Sequence, residues 1–215
     1  MLIVLIASVL FCLAFASSLR AEDLNLYAGP QSISPGQLIY VTVQSIYSNA
    51  TVELSYISDG EYETLTATPQ HGLASFEIPA QKTIGQMSFM ASMENNRSNK
   101  SIVSVFAGPP ESFELFVKPG QQPGTVNVLS DSVTDRFDNP VSDLALVSLD
   151  WIDNTGLIAS QDTQLIQGRL KLIMACPRQY HGDLILRAAV STVEYVMQNM
   201  SQFCLNTDLS KSGSE

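Results

Sequence analysis

Asp135-Arg136-Phe137-Asp138-Asn139-Pro140-Val141 stands between two runs of alternating apolar residues and reads as the turn between consecutive strands of a β-sandwich. Asp and Asn side chains bond their own backbone and tolerate left-handed conformations, whereas Pro140 fixes φ and has no N–H to give to a ladder. The chain is therefore expected to leave one strand at Asp135 and to re-enter a sheet at Val141. A turn of this kind, repeated at short intervals, points to an all-β immunoglobulin-like module.

The segments on either side repeat the pattern. After the turn come strands expected at residues 144–151, 157–163, 169–176, 183–190 and 192–204, and before it at 113–118 and 126–134. Pro119-Gly120, Asn154-Thr155-Gly156, Gln167-Gly168 and His181-Gly182 punctuate them. Further upstream, Ser34-Pro35-Gly36 opens a strand at 38–45 with Ile39, Val41 and Val43 on one face. Strands at 51–57, 62–68, 73–78, 87–93 and 101–107 follow, with Asp59-Gly60 as a hairpin turn. Short strands at this spacing are what sandwiches require. Gly108-Pro109-Pro110 is a stiff, donor-poor hinge. It divides the chain into a sandwich at 22–107 and a second at 108–206, with a polar tail at 207–215 expected to be disordered.

The apolar run from Leu2 to Ala16 is shorter than the roughly 20 residues of a membrane-crossing helix and has the length of a signal-peptide core. Ala14-Phe15-Ala16 and Leu19-Arg20-Ala21 offer cleavage after residue 16 or 21, which makes 1–21 a signal peptide and excludes stable membrane insertion after processing. The n-region lacks a Lys or Arg, so an uncleaved anchor is the competing reading. Cys12 raises the question of a lipoprotein, but bulky Phe11 precedes it.

The chain carries 21 acidic and 11 basic residues, a net charge of −10. Such a field repels nucleic acid, which is not expected as a partner. Cys176 and Cys204 remain after signal removal, and an even pair in an exported domain points to a disulfide. Two buried thiols or an intermolecular bridge are the alternatives.

Few residues suggest chemistry. His71 and His181 each precede a turn Gly, and no nucleophile elbow, phosphate loop or paired-Cys zinc motif is present. No catalytic residue, cofactor or metal is assigned. Asp135, Asp138, Asn139 and Asp143 form the densest set of oxygen ligands, and Asp150, Asp153 and Asn154 another, but turn formation already accounts for them. Trp151, the single tryptophan, is the best aromatic for a sugar platform, and core or rim packing is its plainer reading. Alternation puts Met90, Ile173, Ile185 and Val196 on outward faces. The last three are expected to form an apolar contact patch on neighbouring strands of the second module.

From Ala107 to about Leu205, the order of Gly-Pro-Pro, Val133-Thr134-Asp135, Asp138-Asn139-Pro140-Val141, Gln167-Gly168 and His181-Gly182-Asp183 resembles the bacterial immunoglobulin-like domain of the invasin and intimin group. Asp138 departs from that pattern, which has Gly before Asn-Pro. The first module is similar to the macroglobulin-like sandwich, through Tyr27 ahead of Ser34-Pro35-Gly36 and through His71-Gly72-Leu73-Ala74-Ser75-Phe76. The resemblance implies that 169–176 and 192–204 are the fifth and seventh strands, whose C-terminal ends meet at one pole and allow Cys176 and Cys204 to join. It also implies an exported, non-enzymatic binding or spacing protein in a bacterial periplasm or at a surface, with a protein partner in an envelope assembly or in adhesion. Carbohydrate binding is the rival function. Asn-x-Ser/Thr at Asn49, Asn96, Asn99 and Asn199 would mark glycan acceptors in a eukaryotic pathway, and the bacterial resemblance outweighs them.

Overall fold

The computed structural model describes residues 24–47, 49–94 and 96–205. The signal segment with its cleavage sites, Cys12 and the polar tail lie outside the described residues. What is described is almost wholly β and falls into two compact units, divided between Val105 and Phe106.

Unit 1 contains β1 (Leu24–Gly29), β2 (Ser32–Ile33), β3 (Leu38–Ser45), β4 (Val52–Ser58), β5 (Glu61–Ala67), β6 (Leu73–Pro79), β7 (Gly85–Met93), β8 (Asn96–Arg97) and β9 (Ser101–Val105). One sheet runs β1-β3-β6 and the other β2-β9-β7-β4-β5, with β8 beside β7. Period-two alternation builds the core between them. Ile39, Val41 and Val43 of β3 face Met87, Phe89, Ala91 and Met93 of β7, all fully or nearly fully buried. Each such large side chain contributes roughly 1.5–3 kcal/mol on leaving water. β5 is exposed along its length except at its half-buried last residue. It ends the wider sheet, beyond the reach of the three strands opposite.

Unit 2 contains β10 (Leu115–Pro119), β11 (Thr125–Ser132), β12 (Leu146–Asp153), β13 (Gly156–Gln164), β14 (Arg169–Ala175), β15 (Ile185–Val190), β16 (Val193–Met197) and the short helix α1 (Ser201–Leu205). Its sheets run β10-β11-β14 and β13-β12-β15-β16. In both units the first, second and fifth main strands form one sheet and the fourth, third, sixth and seventh the other. That is the Greek-key order of an immunoglobulin-like sandwich.

Most expected strands are present within one to three residues of their anticipated ends, and β3 matches at both. Three expectations need correction. β1 is a strand although none was assigned there: Leu24 and Leu26 point inward, but the alternation is cut short by Gly29-Pro30. Val141 does not start the third strand. Its N–H donates to Val133 O at 2.9 Å and Pro140 bridges Thr134, but this pairing is isolated and β12 begins at Leu146. Finally, the expected strand at 192–204 stops at Met197, and the chain turns at Asn199, where φ is 59°, into α1.

The hairpin turns follow their residues. Asp59 and Gly60 take φ of 49° and 85° between the paired Ser58 and Glu61, the left-handed pair that twist-matched two-residue hairpins need. At Gly72 a Cβ would stand 2.8 Å from Ser45 O, so that turn requires glycine twice over, by space and by its φ of 81°.

Candidate functional site

Asp135 leaves the end of β11 and its carboxylate is almost fully buried, at 3% exposure. Oδ1 accepts from the N–H groups of Phe137 (2.9 Å) and Asn139 (3.1 Å) and from Asn139 Nδ2 (3.1 Å). Oδ2 accepts from Gly108 N at 2.8 Å and again from Asn139 Nδ2. Burial works against its charge, but the bonds from Gly108, Phe137 and Asn139 outweigh it and hold the carboxyl below its ordinary range. Asp138 has a φ of 63°, the conformation that glycine would adopt at no cost. The turn residues Asp135, Asp138, Asn139 and Pro140 thus form a clamp that also reaches Gly108.

The second acidic group is likewise committed. Asp153 Oδ1 accepts from the N–H and Oγ1 of Thr155, each at 2.7 Å, and Oδ2 accepts from His181 N at 2.6 Å. The Thr155 hydroxyl and the His181 amide hold this carboxyl down at about 2. His181 serves here through its backbone, bracing the loop after β12. Asp150 accepts from Ser160 Oγ at 2.6 Å and from Arg187 Nη2 at 2.6 Å, and its carboxyl is held low by Ser160 and then by Arg187. Among the described residues no group of three or more His, Cys, Asp and Glu is arranged to hold a metal ion.

Cys176 and Cys204 are joined, with Cα atoms 5.8 Å apart. Cys176 follows β14 as expected, whereas Cys204 lies on α1, which packs on β10 and β11. Cys204 is buried. Closing this loop, with a separation of 28 residues, stabilises unit 2 by roughly 3–4 kcal/mol in the chain-entropy picture.

The expected binding surface is rearranged. Trp151 does not belong to it: the side chain is 2% exposed, packed inside the unit 2 core, and its Nε1 has no hydrogen-bond partner. Odd-numbered residues of β12 point inward, so a tryptophan at 151 joins Val147 and Leu149 rather than solvent. Ile173, at 66% exposure, is outward as alternation requires, but β14 belongs to the sheet opposite β15 and β16. It therefore shares a face with Phe116 and Lys171, not with Ile185 and Val196. Those two do share the outer face of the four-stranded sheet. Ile185 pairs with Ile152, which pairs with the exposed Leu157, and Val196 lies beside Arg187 on the edge strand. The patch on this face is Leu157, Ile152, Ile185 and Val196.

Unit 1 carries a feature that no sequence motif announced. On the outer face of its wider sheet, Ser55, Ile57, Tyr62, Ser88, Met90 and Lys100 line an apolar groove of about 250 Å³. Ser55 pairs with Met90 and Ile57 with Tyr62, and the Tyr62 hydroxyl donates to Ser55 Oγ at 2.7 Å, laying the ring across the strands. Two serines among larger neighbours make the trough. Met90 was expected on an outward face; its partners come from two other strands, which alternation along one strand cannot name.

No helix among the described residues is long and apolar enough to cross a membrane. No family model matches the chain, and no curated protein matches it. Among solved structures it is similar to Escherichia coli alpha-2-macroglobulin in its native conformation, at 14% identity and a TM-score of 0.36, over 84% of this chain and 14% of that one. The trypsin-activated form of the E. coli protein gives 13% identity and 0.35, over 82% of this chain and 15% of that chain. A two-domain fibronectin type III segment of chicken tenascin gives 10% identity and 0.37, over 81% of this chain and 97% of that segment. The chain thus spans only a small part of the macroglobulins' length, and it is the strand order of its own two units that makes them immunoglobulin-like.

Proposed function

We propose that the chain is an exported, non-enzymatic binding or spacing protein whose two sandwiches meet protein partners in a bacterial envelope assembly or in adhesion. The observation that carries this reading is a division of labour among side chains. The carboxylates of Asp59, Asp135, Asp150 and Asp153 are all bonded within the fold, whereas large apolar side chains, Ile57, Tyr62 and Met90 in unit 1 and Leu157, Ile173 and Val196 in unit 2, face water on the sheets among polar neighbours. Exposed apolar patches on a sheet mark contact surfaces. The Cys176–Cys204 bond supports an oxidising compartment outside the cytosol, and the resemblance of unit 2 to invasin-type domains supports a bacterial envelope. Carbohydrate binding loses the aromatic it was built on, because Trp151 is in the core.

The groove of unit 1 is the place to test this reading. A photoreactive aromatic amino acid at Tyr62, irradiated in the native envelope, is expected to yield one dominant protein adduct that disappears in Met90→Asp. Adducts spread over many proteins, or insensitive to Met90→Asp, would count against a specific partner at this face.

A further inference from the structure

The four sheet edges of unit 2 differ in how they are protected. An unpaired edge is a template for another strand, and proteins blunt it with Lys, Pro, bulges or a covering segment. β10 carries Lys118 and Pro119, β14 carries Arg169 and Lys171, and β13 carries Asp162 and meets β12 through an irregularity at Trp151/Ile152. β16, Val-Glu-Tyr-Val-Met, has no Lys, Pro or bulge, and its one charged residue is Glu194. In unit 1 the corresponding edge, β9, is covered by β2, which pairs with it in parallel. Among the described residues unit 2 has no such segment: β10 ends at Pro119, and Gly120 N bonds Thr125 O at 2.8 Å, turning the chain straight into β11. Among the described residues nothing pairs with the outer edge of β16.

The free groups on that edge can be identified. β15 and β16 are joined by the two residues Ser191 and Thr192, with Val190 paired to Val193. A two-residue hairpin makes its flanking pair the hydrogen-bonded one, and bonded and unbonded pairs then alternate. Val193, Tyr195 and Met197 therefore spend their backbone groups on β15, and Glu194 and Val196 direct theirs outward.

We infer that β16 is the site at which a second copy of this chain adds, antiparallel, edge to edge. Centred on Tyr195, the pairing sets Glu194 opposite Val196 of the second copy and Val196 opposite its Glu194, which satisfies every outward N–H and C=O of the two residues. It also keeps the two glutamates from facing each other, as a register centred on Glu194 would not. Glu194 lies 3.9 Å from Arg187 of its own sheet, so the strand's single charge is already partly compensated. The twofold is self-complementary, as a closed dimer requires.

Sedimentation velocity of the full oxidised chain over a range of concentrations tests this. A dimer is expected to grow with concentration and with added salt, because screening relieves the repulsion between copies of charge −10. Val196→Pro removes an outward N–H that β15 does not use, a position where edge strands accept proline. It is expected to leave a folded monomer at every concentration. Val196→Glu sets an anion opposite Glu194 of the second copy and beside Arg187 of its own sheet, and is expected to weaken the dimer about two- to fivefold, with the loss shrinking in salt. Hydrogen exchange adds a readout that does not depend on any variant: the amides of 194 and 196 slow as concentration rises, whereas those of 193, 195 and 197 are slow throughout. A chain monomeric at all concentrations, or a dimer indifferent to both variants with unchanged exchange at 194 and 196, overturns the inference. Either outcome leaves the partner reading of the unit 1 groove untouched.

Discussion

The carboxylate of Asp135 accepts the backbone N–H of Gly108 at 2.8 Å, so the clamp after β11 also holds the segment that opens unit 2. Asp135→Ala leaves the amides of Gly108, Phe137 and Asn139 without their acceptor in a largely buried site. The expected loss is about 2–4 kcal/mol from unit 2, seen as a lower urea midpoint with an unchanged slope. Asp135→Asn, which keeps one carbonyl oxygen, should lose less. Equal losses from the two would mean that charge rather than acceptor geometry matters.

Acid should weaken unit 2 in a defined window. The carboxyls of Asp135, Asp150 and Asp153 all sit below their ordinary value of 3.8, that of Asp153 at about 2. A carboxyl depressed by folding stabilises the native state at pH values above its unfolded pKa, and that stability drains away as the pH falls through the folded value. Stability should therefore be flat with respect to these groups above about pH 5 and fall between about pH 4 and 2. In Asp153→Asn the fall should be shallower, measured by thermal melts across that range.

Trp151 sits in the core with an unpartnered indole N–H. Replacing it by Phe removes both a buried donor without an acceptor and part of the packing, so Trp151→Phe is expected to cost under about 1.5 kcal/mol, whereas Trp151→Ala should cost about 3–5. Tryptophan fluorescence of the parent should be blue and hardly quenched by iodide. Ready quenching would contradict the burial.

Much of the fold was readable because alternation is local. Ile39, Val41 and Val43 mark the inner face of β3 with no help from the rest of the chain, and Asp59-Gly60 marks its turn by its own chemistry. Alternation says whether a side chain points in or out, but not which of two facing sheets its strand joins. For that reason Ile173 was grouped with Ile185 and Val196, though the sandwich puts its strand on the other side. Trp151 lies in the core, its plainer reading, as its register with Val147 and Leu149 already indicated, and only the sugar platform is lost. The groove of unit 1 needs the pairing of β4, β5 and β7, which arises only once the sheet has formed. α1 has too few residues to show a helical period, and it is held by its disulfide and by contacts with β10 and β11 rather than by helical propensity.

The bond between Cys176 and Cys204 also sets an order of events. Its second partner lies on the last described element of the chain, so oxidation cannot lock the sandwich until nearly all of its sequence is available to fold. Until then the thiol of Cys176 waits unpaired, and a cell that depletes its thiol oxidants should accumulate chains whose second unit is complete in sequence yet unlatched and open to proteases.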